Sequence, residues 1–414
     1  MTASVADRPR RKRAASAAAD ATASPVERVP PTLDDLNVAV RPETYAAELA
    51  AKVAAVHAVF AAALVPLPPH IDVFESERAH FRQRAEFTVW HKADRSFYAM
   101  FAKGSKFPVE VPSFPFGSRE ISRLMPALLD GCLAADATLR KSLFQARFLT
   151  TRSGQALVSL IYRASLDEAA WLVAAEALRA RLGLVGLVGR AKGQKVVAGV
   201  DFVEESLEVG GQKLVYRQQE DTFSQSNAGI AEQMLRWALR VARSDEGADP
   251  PPAGAREDDL LELYCGSGNF TVALAPAFRR VLATELSKQA VHTAEHNLAA
   301  NGRANVQLGR VSAEELREAL AGERPFERLR HVDLPSLRFS TVFVDPPRAG
   351  CGPEVAPFLA SFDRIVYISC NPASMAEDIA RLPSHEVVRF AVFDQFPYTP
   401  HLESGCLLLR KKAL

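Results

Sequence analysis

Two apolar runs in the C-terminal half of the chain end in residues that can do chemistry. The run "RIVYISC" (364–370) stops at Cys370, and "TVFVDPPRAG" (341–350) runs into Asp345. The carboxyl ends of neighbouring parallel strands share the edge at which open α/β sheets bind ligands. From position alone, Cys370 has two interpretations. It is either a small buried residue that packs at a strand end, as most such cysteines are, or a nucleophile at the rim of a pocket.

A glycine-rich turn earlier in the chain indicates a cofactor site. In "LLELYCGSGNF" (260–270), Gly266 and Gly268 stand where a strand meets a helix and allow a tight turn close to a ligand. The third glycine of a dinucleotide fingerprint and a Walker lysine do not follow. Glu285 ends "VLATE", where a carboxylate can accept both hydroxyls of a ribose. This combination favours S-adenosylmethionine; the alternative for Glu285 is a solvated charge at a strand end.

Regular alternation of strands and helices after residue 257 must position these groups. Helices are predicted at "NFTVALAPAF" and "SKQAVHTAEHNLAANG". Strands are predicted at "DLLELYC", "RVLATE", "NVQLGRV", "STVFVDPP", "RIVYISC", "EVVRFAVFDQF" and "GCLLLRK". Alternation of buried apolar strands with helices is typical of an α/β fold with a doubly wound parallel sheet.

The N-terminal half has a different texture. Residues 42–64 are rich in alanine and predict one helix. From about 75 to 220, short β-like runs carry interspersed arginine and lysine, with helical stretches near 118–134 and 166–182. These features indicate an α+β domain with a basic face.

Composition divides the chain into three parts. Residues 1–40 are of low complexity and predict a disordered tail. The α+β domain is expected to span 41–220 and the doubly wound domain 221–414, with a Pro- and Gly-rich loop at 244–257 inside the latter.

The net charge, the spacing of the cysteines and the length of the apolar stretches argue against several classes of protein. A formal net charge of +1 over 414 residues means that an anionic partner must be met by a local basic patch. The five cysteines form no CxxC or similar pair, so no metal site is expected. No apolar stretch has the length and uniformity of a membrane span, and no signal peptide is evident. A cytoplasmic location and no membrane partner are therefore expected.

Six ordered motifs together resemble the TrmA family of tRNA uracil-5-methyltransferases. The likeness covers roughly residues 40–414 and is specific because all six stand in order at a plausible spacing. The motifs are "YRQQEDTFSQSNAGIAEQML", "LLELYCGSGNF", "VLATE", "VFVDPPRAG", "YISCNPASM" and "FDQFPYTPHLESGCLLLRK". The resemblance implies a class I, Rossmann-like S-adenosylmethionine methyltransferase domain preceded by an α+β RNA-binding domain.

The resemblance also implies roles for individual residues. It assigns Cys370 as the nucleophile that adds to C6 of uracil and Glu403, in "HLES", as the base that removes the C5 proton. From the residues alone, Glu403 is an ordinary surface acid. The implied S-adenosylmethionine contacts are Gln225, Tyr264, Asn269, Glu285 and Asp345. Cys265, Cys351 and Cys406 are expected to pack.

Two further residues are expected to contact RNA. Arg348 suits the uracil or a phosphate, and its non-aromatic side chain after Asp-Pro-Pro counts against exocyclic-amine methylation. Phe144, in "KSLFQARF", matches a family phenylalanine that stacks in the RNA loop, although such a residue is more often core. Some relatives carry arginine at the position of Thr88, so one RNA contact is missing or moved.

The expected substrate is the uridine at position 54 in the TΨC loop of tRNA, bound by a monomer. Ribosomal relatives often carry an added RNA-binding barrel and a four-cysteine cluster, and neither is visible in this sequence. Two alternatives stay open: a ribosomal RNA uracil-5-methyltransferase with the same chemistry, and an RNA-folding chaperone built on the same fold.

Overall fold

The structure is a computed structural model that describes residues 31–36, 38–92, 95–134, 137–243 and 255–412. Most of the tail predicted at 1–40, and residues 244–254 of the loop predicted at 244–257, lie outside the described residues.

Helices and strands follow one another through the described chain. The helices are α1 (Tyr45–Ala62), α2 (Arg119–Ala134), α3 (Ala137–Arg140), α4 (Glu168–Leu182), α5 (Ala228–Arg243), α6 (Asn269–Leu274), α7 (Lys288–Ala300), α8 (Ala313–Leu320), α9 (Gly352–Leu359) and α10 (Pro372–Ala380). The strands are β1 (Asp72–Phe74), β2 (Arg84–Lys92), β3 (Arg95–Phe101), β4 (Pro108–Glu110), β5 (Leu143–Thr150), β6 (Ala156–Tyr162), β7 (Gly186–Ala191), β8 (Gln194–Gly199), β9 (Phe202–Val209), β10 (Gln212–Gln219), β11 (Asp259–Leu263), β12 (Arg280–Thr284), β13 (Val306–Gly309), β14 (Phe339–Val344), β15 (Arg364–Ser369), β16 (His385–Phe393) and β17 (Glu403–Arg410). Short 3₁₀ helices lie at Asp34–Leu36, Ala275–Ala277, Glu327–Leu329 and Leu334–Ser336.

An eight-stranded sheet forms the C-terminal half, in the order β1-β16-β17-β15-β14-β11-β12-β13. The strands β11 to β15 pair in parallel, as the alternation predicted. Every residue of β11 and β15 is buried. Strands covered on both faces are mostly apolar, which explains why both sequences lack the alternation of a half-exposed strand.

One strand departs from the predicted parallel sheet. β17 runs antiparallel to both of its neighbours, β15 and β16. The loop that joins β16 to β17, residues 394–402, contains no helix. A parallel pair needs a longer crossover, usually helical, whereas a short loop joins antiparallel strands. The predicted doubly wound sheet is therefore present, but it contains one antiparallel strand that the alternation did not predict.

The N-terminal half contains a seven-stranded sheet in the order β4-β3-β2-β5-β6-β7-β8. Its strands pair antiparallel except β6 and β7, which are parallel and joined through α4. Strands β9 and β10 form a separate antiparallel pair.

Two N-terminal elements reach into the C-terminal half. β1 pairs in parallel with β16 and forms one edge of the eight-stranded sheet. α1 packs against α10, and Phe60 of α1 meets Phe390 of β16 edge-on with 5.0 Å between ring centroids. α1 is long and apolar enough to cross a membrane by length and hydropathy, but four of its residues, Tyr45, Leu49, Val56 and Phe60, are buried in the core of the protein. The division of the chain at residue 220 stays a prediction.

Candidate functional site

A cavity of about 350 Å³ opens at the carboxyl edge of the eight-stranded sheet. Seven of the site residues predicted from the sequence line it together: Gln225, Tyr264, Asn269, Asp345, Arg348, Cys370 and Glu403. They come from five separate stretches of the chain, so the fold alone brings them to one place.

The turn after β11 forms one wall of the cavity. Gly266 and Gly268 have φ of 54° and 79°, and Tyr264 has φ of 61°. A positive φ is unfavourable in free energy for a bulky residue such as tyrosine, and backbone strain of this kind is common at ligand sites. A Cβ at Gly268 would lie only 3.3 Å from the Cβ of Ala294. Residues with a side chain would adopt the backbone conformation of this turn poorly, so glycine is favoured at positions 266 and 268.

Glu285 lies beside the cavity rather than in its wall. Its Oε2 accepts a hydrogen bond from the Gly266 backbone N–H at 3.2 Å, and its Oε1 accepts from the Ser287 N–H at 2.7 Å. The carboxylate follows directly after β12, which pairs with β11 in parallel. Glu285 thus contacts the glycine turn, as an acid that meets the sugar of a bound nucleoside would.

Asp345, Cys370 and Glu403 line the same cavity. Asp345 follows the last residue of β14, Cys370 follows the last residue of β15, and Glu403 is the first residue of β17. Because β17 is antiparallel to β15, its beginning lies at the edge where β15 ends. Cys370 is half-buried, whereas the Glu403 side chain is buried.

Burial raises the pKa of each of these three acids, and neighbouring charges add to the effect for Glu403 and Cys370. Burial, and then the charge of Asp345, raises the pKa of Glu403 to about 8. Asp345 keeps some exposed surface, but protein atoms enclose its carboxyl group, and burial raises its pKa to about 7. Burial, Glu403 and Asp345 all raise the pKa of the Cys370 thiol, while Arg348 opposes them. A cation bound here would favour the ionised form of all three acids.

Arg348 lies at the exposed mouth of the cavity. Its Nη2 is 3.4 Å from Nδ1 of His401, and its backbone carbonyl accepts hydrogen bonds from Asn371 Nδ2 at 3.0 Å and Ser374 Oγ at 3.2 Å. The turn after Asp345 and the turn after Cys370 are thereby joined. An exposed guanidinium beside the cavity is suited to an anionic substrate.

Gln225 belongs to a loop that the N-terminal sheet holds in place. Gln395 donates a hydrogen bond from Nε2 to Gln225 Oε1 at 2.9 Å. Arg84, the first residue of β2, donates to the carbonyl of Thr222 at 2.5 Å. In the same loop, the Phe223 side chain lines the cavity and is 80% exposed.

Phe223 is a residue that the sequence analysis missed. Its place two residues before Gln225 in "FSQSN" is the signal that could have identified it. Tyr216, Arg217 and Asn297 also line the cavity. Tyr216 and Arg217 begin the motif "YRQQEDTFSQSNAGIAEQML", but the sequence analysis assigned no role to any of the three.

Phe144 does not lie with the catalytic candidates. It lines a separate concavity of about 300 Å³ on the seven-stranded sheet, together with Thr88 and Trp90. The Arg163 guanidinium carbon is 4.2 Å from the centroid of the half-buried Phe144 ring. An aromatic ring beside an arginine is suited to a nucleotide base.

Three other cysteines differ from Cys370 in burial. Cys265, Cys351 and Cys406 are buried free thiols, and burial raises the pKa of Cys351 to about 12. Cys265 also lines the cavity. Within the described residues, no group of three or more His, Cys, Asp or Glu side chains could hold a metal ion.

Comparison with known proteins gives consistent matches over most of the chain. The family described as tRNA (Uracil-5-)-methyltransferase matches residues 44–411. The tRNA/tmRNA (uracil-C(5))-methyltransferase of Vibrio cholerae is 47% identical over 380 residues, which is 90% of this chain and 99% of that protein. The enzyme of the same name from Pseudomonas aeruginosa is 48% identical over 374 residues, 89% of this chain and 98% of that protein.

A solved structure shares the fold. The Pyrococcus abyssi tRNA (uracil-54, C5)-methyltransferase in complex with S-adenosyl-L-homocysteine superposes with a TM-score of 0.67 and is 18% identical. The match covers 88% of this chain and 83% of that chain.

Proposed function

Because the chain belongs to the tRNA (uracil-5-)-methyltransferase family, we propose that it methylates C5 of uridine 54 in the TΨC loop of tRNA through a covalent bond between Cys370 and C6. The observation that carries this proposal is the meeting of Cys370 and Glu403 in the wall of the cavity that the glycine turn also lines. A thiol, a carboxyl group and a nucleoside-binding turn in one cavity are the groups that this chemistry requires.

The glycine turn and its neighbours suit S-adenosylmethionine, the family's methyl donor. A Cβ at Gly266 would meet open space, so a ligand can approach the backbone there, and Glu285 contacts the same turn. Asp345 and Gln225 face the same cavity. When bound, the cofactor supplies an electrophilic sulfonium methyl group. We propose that Glu285 receives its ribose and that Asp345 lies near its positive charge.

Cys370 supplies the nucleophile in the first step. Carbon C5 of uracil is a weak nucleophile, and addition of a thiolate to C6 converts the ring into an enolate with electron density at C5. The thiol must first lose its proton, which Glu403 and Asp345 disfavour when they are ionised. Arg348 favours the thiolate, so a bound cation and Arg348 act in the same direction.

Glu403 completes the reaction as a base. After C5 accepts the methyl group it still carries its original hydrogen. Removal of that proton by the Glu403 carboxylate restores the C5–C6 double bond, and the C6–S bond breaks to release Cys370 as a thiolate. A pKa of about 8 makes Glu403 a stronger base than an ordinary glutamate, which suits the removal of a proton from carbon.

The target base must leave its stack to reach Cys370, because the thiol lies inside a cavity. Arg348 at the mouth is positioned to meet the nucleotide or its phosphate. We propose that Phe144, on the N-terminal sheet, stacks on a second base of the same loop. RNA contacts are thus divided between the two sheets.

One experiment tests the substrate and the chemistry together. Incubate the protein with methyl-labelled S-adenosylmethionine and separate unmodified transcripts of tRNA, transfer-messenger RNA and ribosomal RNA, then map the labelled nucleoside. Label at C5 of uridine 54 in tRNA supports the proposal. Label on ribosomal RNA alone would favour a ribosomal RNA methyltransferase. RNA binding without any transfer would favour a chaperone.

A second measurement tests the order of steps. Glu403→Gln keeps the thiol and the cofactor site, so methyl transfer proceeds and release stalls. The variant is expected to accumulate a covalent RNA–protein adduct on a denaturing gel. Turnover equal to that of the unmodified protein would reject Glu403 as the base.

A further inference from the structure

The loop that precedes Glu403 is tied at both ends by one buried lysine. Lys52 lies on α1 and its Nζ donates to Asp394 Oδ1 at 2.7 Å, to the carbonyl of Phe396 at 2.9 Å and to the carbonyl of His401 at 3.2 Å. The side chains of Lys52 and Asp394 are only 8% and 1% exposed. All three N–H groups of the ammonium are therefore used within this loop.

The position of the loop makes this contact relevant to catalysis. Phe393 and Glu403 are Cα partners across β16 and β17, so residues 394–402 form a hairpin loop that Glu403 closes. Asp394 and Phe396 stand at the beginning of the loop, and His401 stands two residues before Glu403. Lys52 thus joins the two ends of the loop next to the carboxylate.

A second contact fixes the middle of the loop. Tyr398 has φ of 61° and is buried. Its hydroxyl donates to the carbonyl of Arg78 at 2.8 Å, and its ring stacks on Phe116 with 5.7 Å between centroids. Residues from three parts of the N-terminal half, at positions 52, 78 and 116, therefore hold the loop.

Helix α1 also packs against the helix that follows Cys370. α1 packs against α10, which begins two residues after Cys370 with Asn371 as its N-cap. One N-terminal helix therefore contacts both the loop before the base and the helix after the nucleophile.

From these contacts we infer that Lys52 is a positioning residue, which holds the Glu403 carboxylate where it can take the C5 proton. The inference rests on the proposed function of Glu403. Without Lys52, Asp394 and two carbonyls lose their donor, and the loop can relax away from the hairpin. Displacement of a reacting group by about 1 Å can cost up to about a hundredfold in rate. The step that suffers is the one Glu403 performs.

The test separates methyl transfer from release in Lys52→Met. We expect single-turnover methyl transfer close to that of the unmodified protein and steady-state turnover lower by about tenfold to about a hundredfold. The covalent RNA–protein adduct should accumulate on a denaturing gel, as in Glu403→Gln. The affinity for S-adenosylmethionine, measured by calorimetry, should not change.

Arg410→Met is the matched control. Arg410 lies at the opposite end of β17 and also donates to one carboxylate and two carbonyls, those of Asp363, Ala360 and Phe362. This variant should lose some thermal stability and accumulate no adduct.

The double variant Lys52→Met with Asp394→Asn covers the case in which Lys52→Met does not fold. It buries no unpaired charge, and it still lacks the ties to Phe396 and His401. Turnover at the unmodified rate in either variant, or an equal fall of methyl transfer and release, would overturn the inference. If Glu403→Gln itself gives no adduct, the proposed function fails instead.

Discussion

Ser369 and Ser404 are Cα partners across the antiparallel ladder of β15 and β17. The next pair in that register is Cys370 and Glu403, at the edge where β15 ends. The direction of one strand therefore decides whether the thiol and the carboxyl group meet. Had β17 been parallel, Glu403 would lie at the opposite edge of the sheet, away from the cofactor turn.

Replacement of Cys370 by alanine should abolish turnover and leave cofactor binding intact. In the proposed mechanism the thiol forms the bond to C6, whereas the cofactor is held by other residues, those of the glycine turn. Turnover is measured with labelled S-adenosylmethionine, and binding by calorimetry. Cys406→Ala, which truncates a buried cysteine of β17, should lower stability by about 1 kcal/mol and keep methyl transfer. Retained methyl transfer by Cys370→Ala would reject the nucleophile.

The stability of the protein should depend on pH through Glu403. Burial raises its pKa in the folded state from 4.5 to about 8. Its contribution is therefore fully present below about pH 4.5 and is lost as the pH rises through about 8, because the unfolded chain releases the proton first. Glu403→Gln is neutral throughout, so its Tm should exceed that of the unmodified protein by more at about pH 9 than at about pH 5.

Differential scanning calorimetry at the two pH values checks this expectation. Glu386→Gln, at an exposed position of β16, is the control and should follow the unmodified protein at both. An equal Tm difference for Glu403→Gln at both pH values would show that Glu403 does not titrate in this range.

The affinity for S-adenosylmethionine should rise with pH through Asp345. Burial raises the pKa of this carboxyl to about 7, so it is mostly neutral at about pH 6 and ionised at about pH 8. The ionised form attracts the sulfonium charge, and we expect affinity to increase by about tenfold over this range. Asp345→Asn should show a weaker pH dependence, because Glu403 and Cys370 then remain to titrate in the cavity.

S-adenosylhomocysteine lacks the sulfonium charge and supplies the control ligand. The ratio of the affinity for S-adenosylmethionine to that for S-adenosylhomocysteine should rise with pH in the unmodified protein and rise less steeply in Asp345→Asn. A ratio independent of pH in both proteins would place the positive charge away from Asp345.

Loss of the Phe144 ring should weaken RNA binding without affecting chemistry. Base–aromatic stacking contributes about 1–3 kcal/mol, so Phe144→Leu should raise the KM for tRNA by about tenfold and leave single-turnover methyl transfer unchanged at saturating tRNA. Phe107→Leu, at an exposed position of the same half of the chain, should have a much smaller effect. Equal KM values for the two variants would identify Phe144 as a packing residue.

Local patterns predicted much of the C-terminal sheet. The runs that became β11, β12, β14 and β15 are apolar and bounded by turns, so their ends could be located closely. Cys370 and Asp345 were placed at one edge because neighbouring parallel strands share an edge. The direction of β17 could not be predicted in this way, since an apolar run reads the same whichever way the strand runs.

Other features depend on contacts between distant parts of the chain. β1 has three residues, too few for a pattern, and it exists through its pairing with β16. Lys52 is a single lysine in an alanine-rich helix, and nothing in that stretch indicates that it meets Asp394. Glu403 carried no signal of its own, and only the resemblance to a family drew attention to it.

The contact between Lys52 and Asp394 spans 342 residues of sequence, and this has a consequence for synthesis on the ribosome. At about 5–20 residues per second, α1 and β1 emerge tens of seconds before β16 and β17 do. Throughout that interval, the Lys52 ammonium lacks its partner Asp394 and β1 lacks its partner strand β16, so both are exposed to water. Lys52 can reach Asp394 only at the end of translation, so the loop before Glu403 takes its final position after nearly all of the chain has been made.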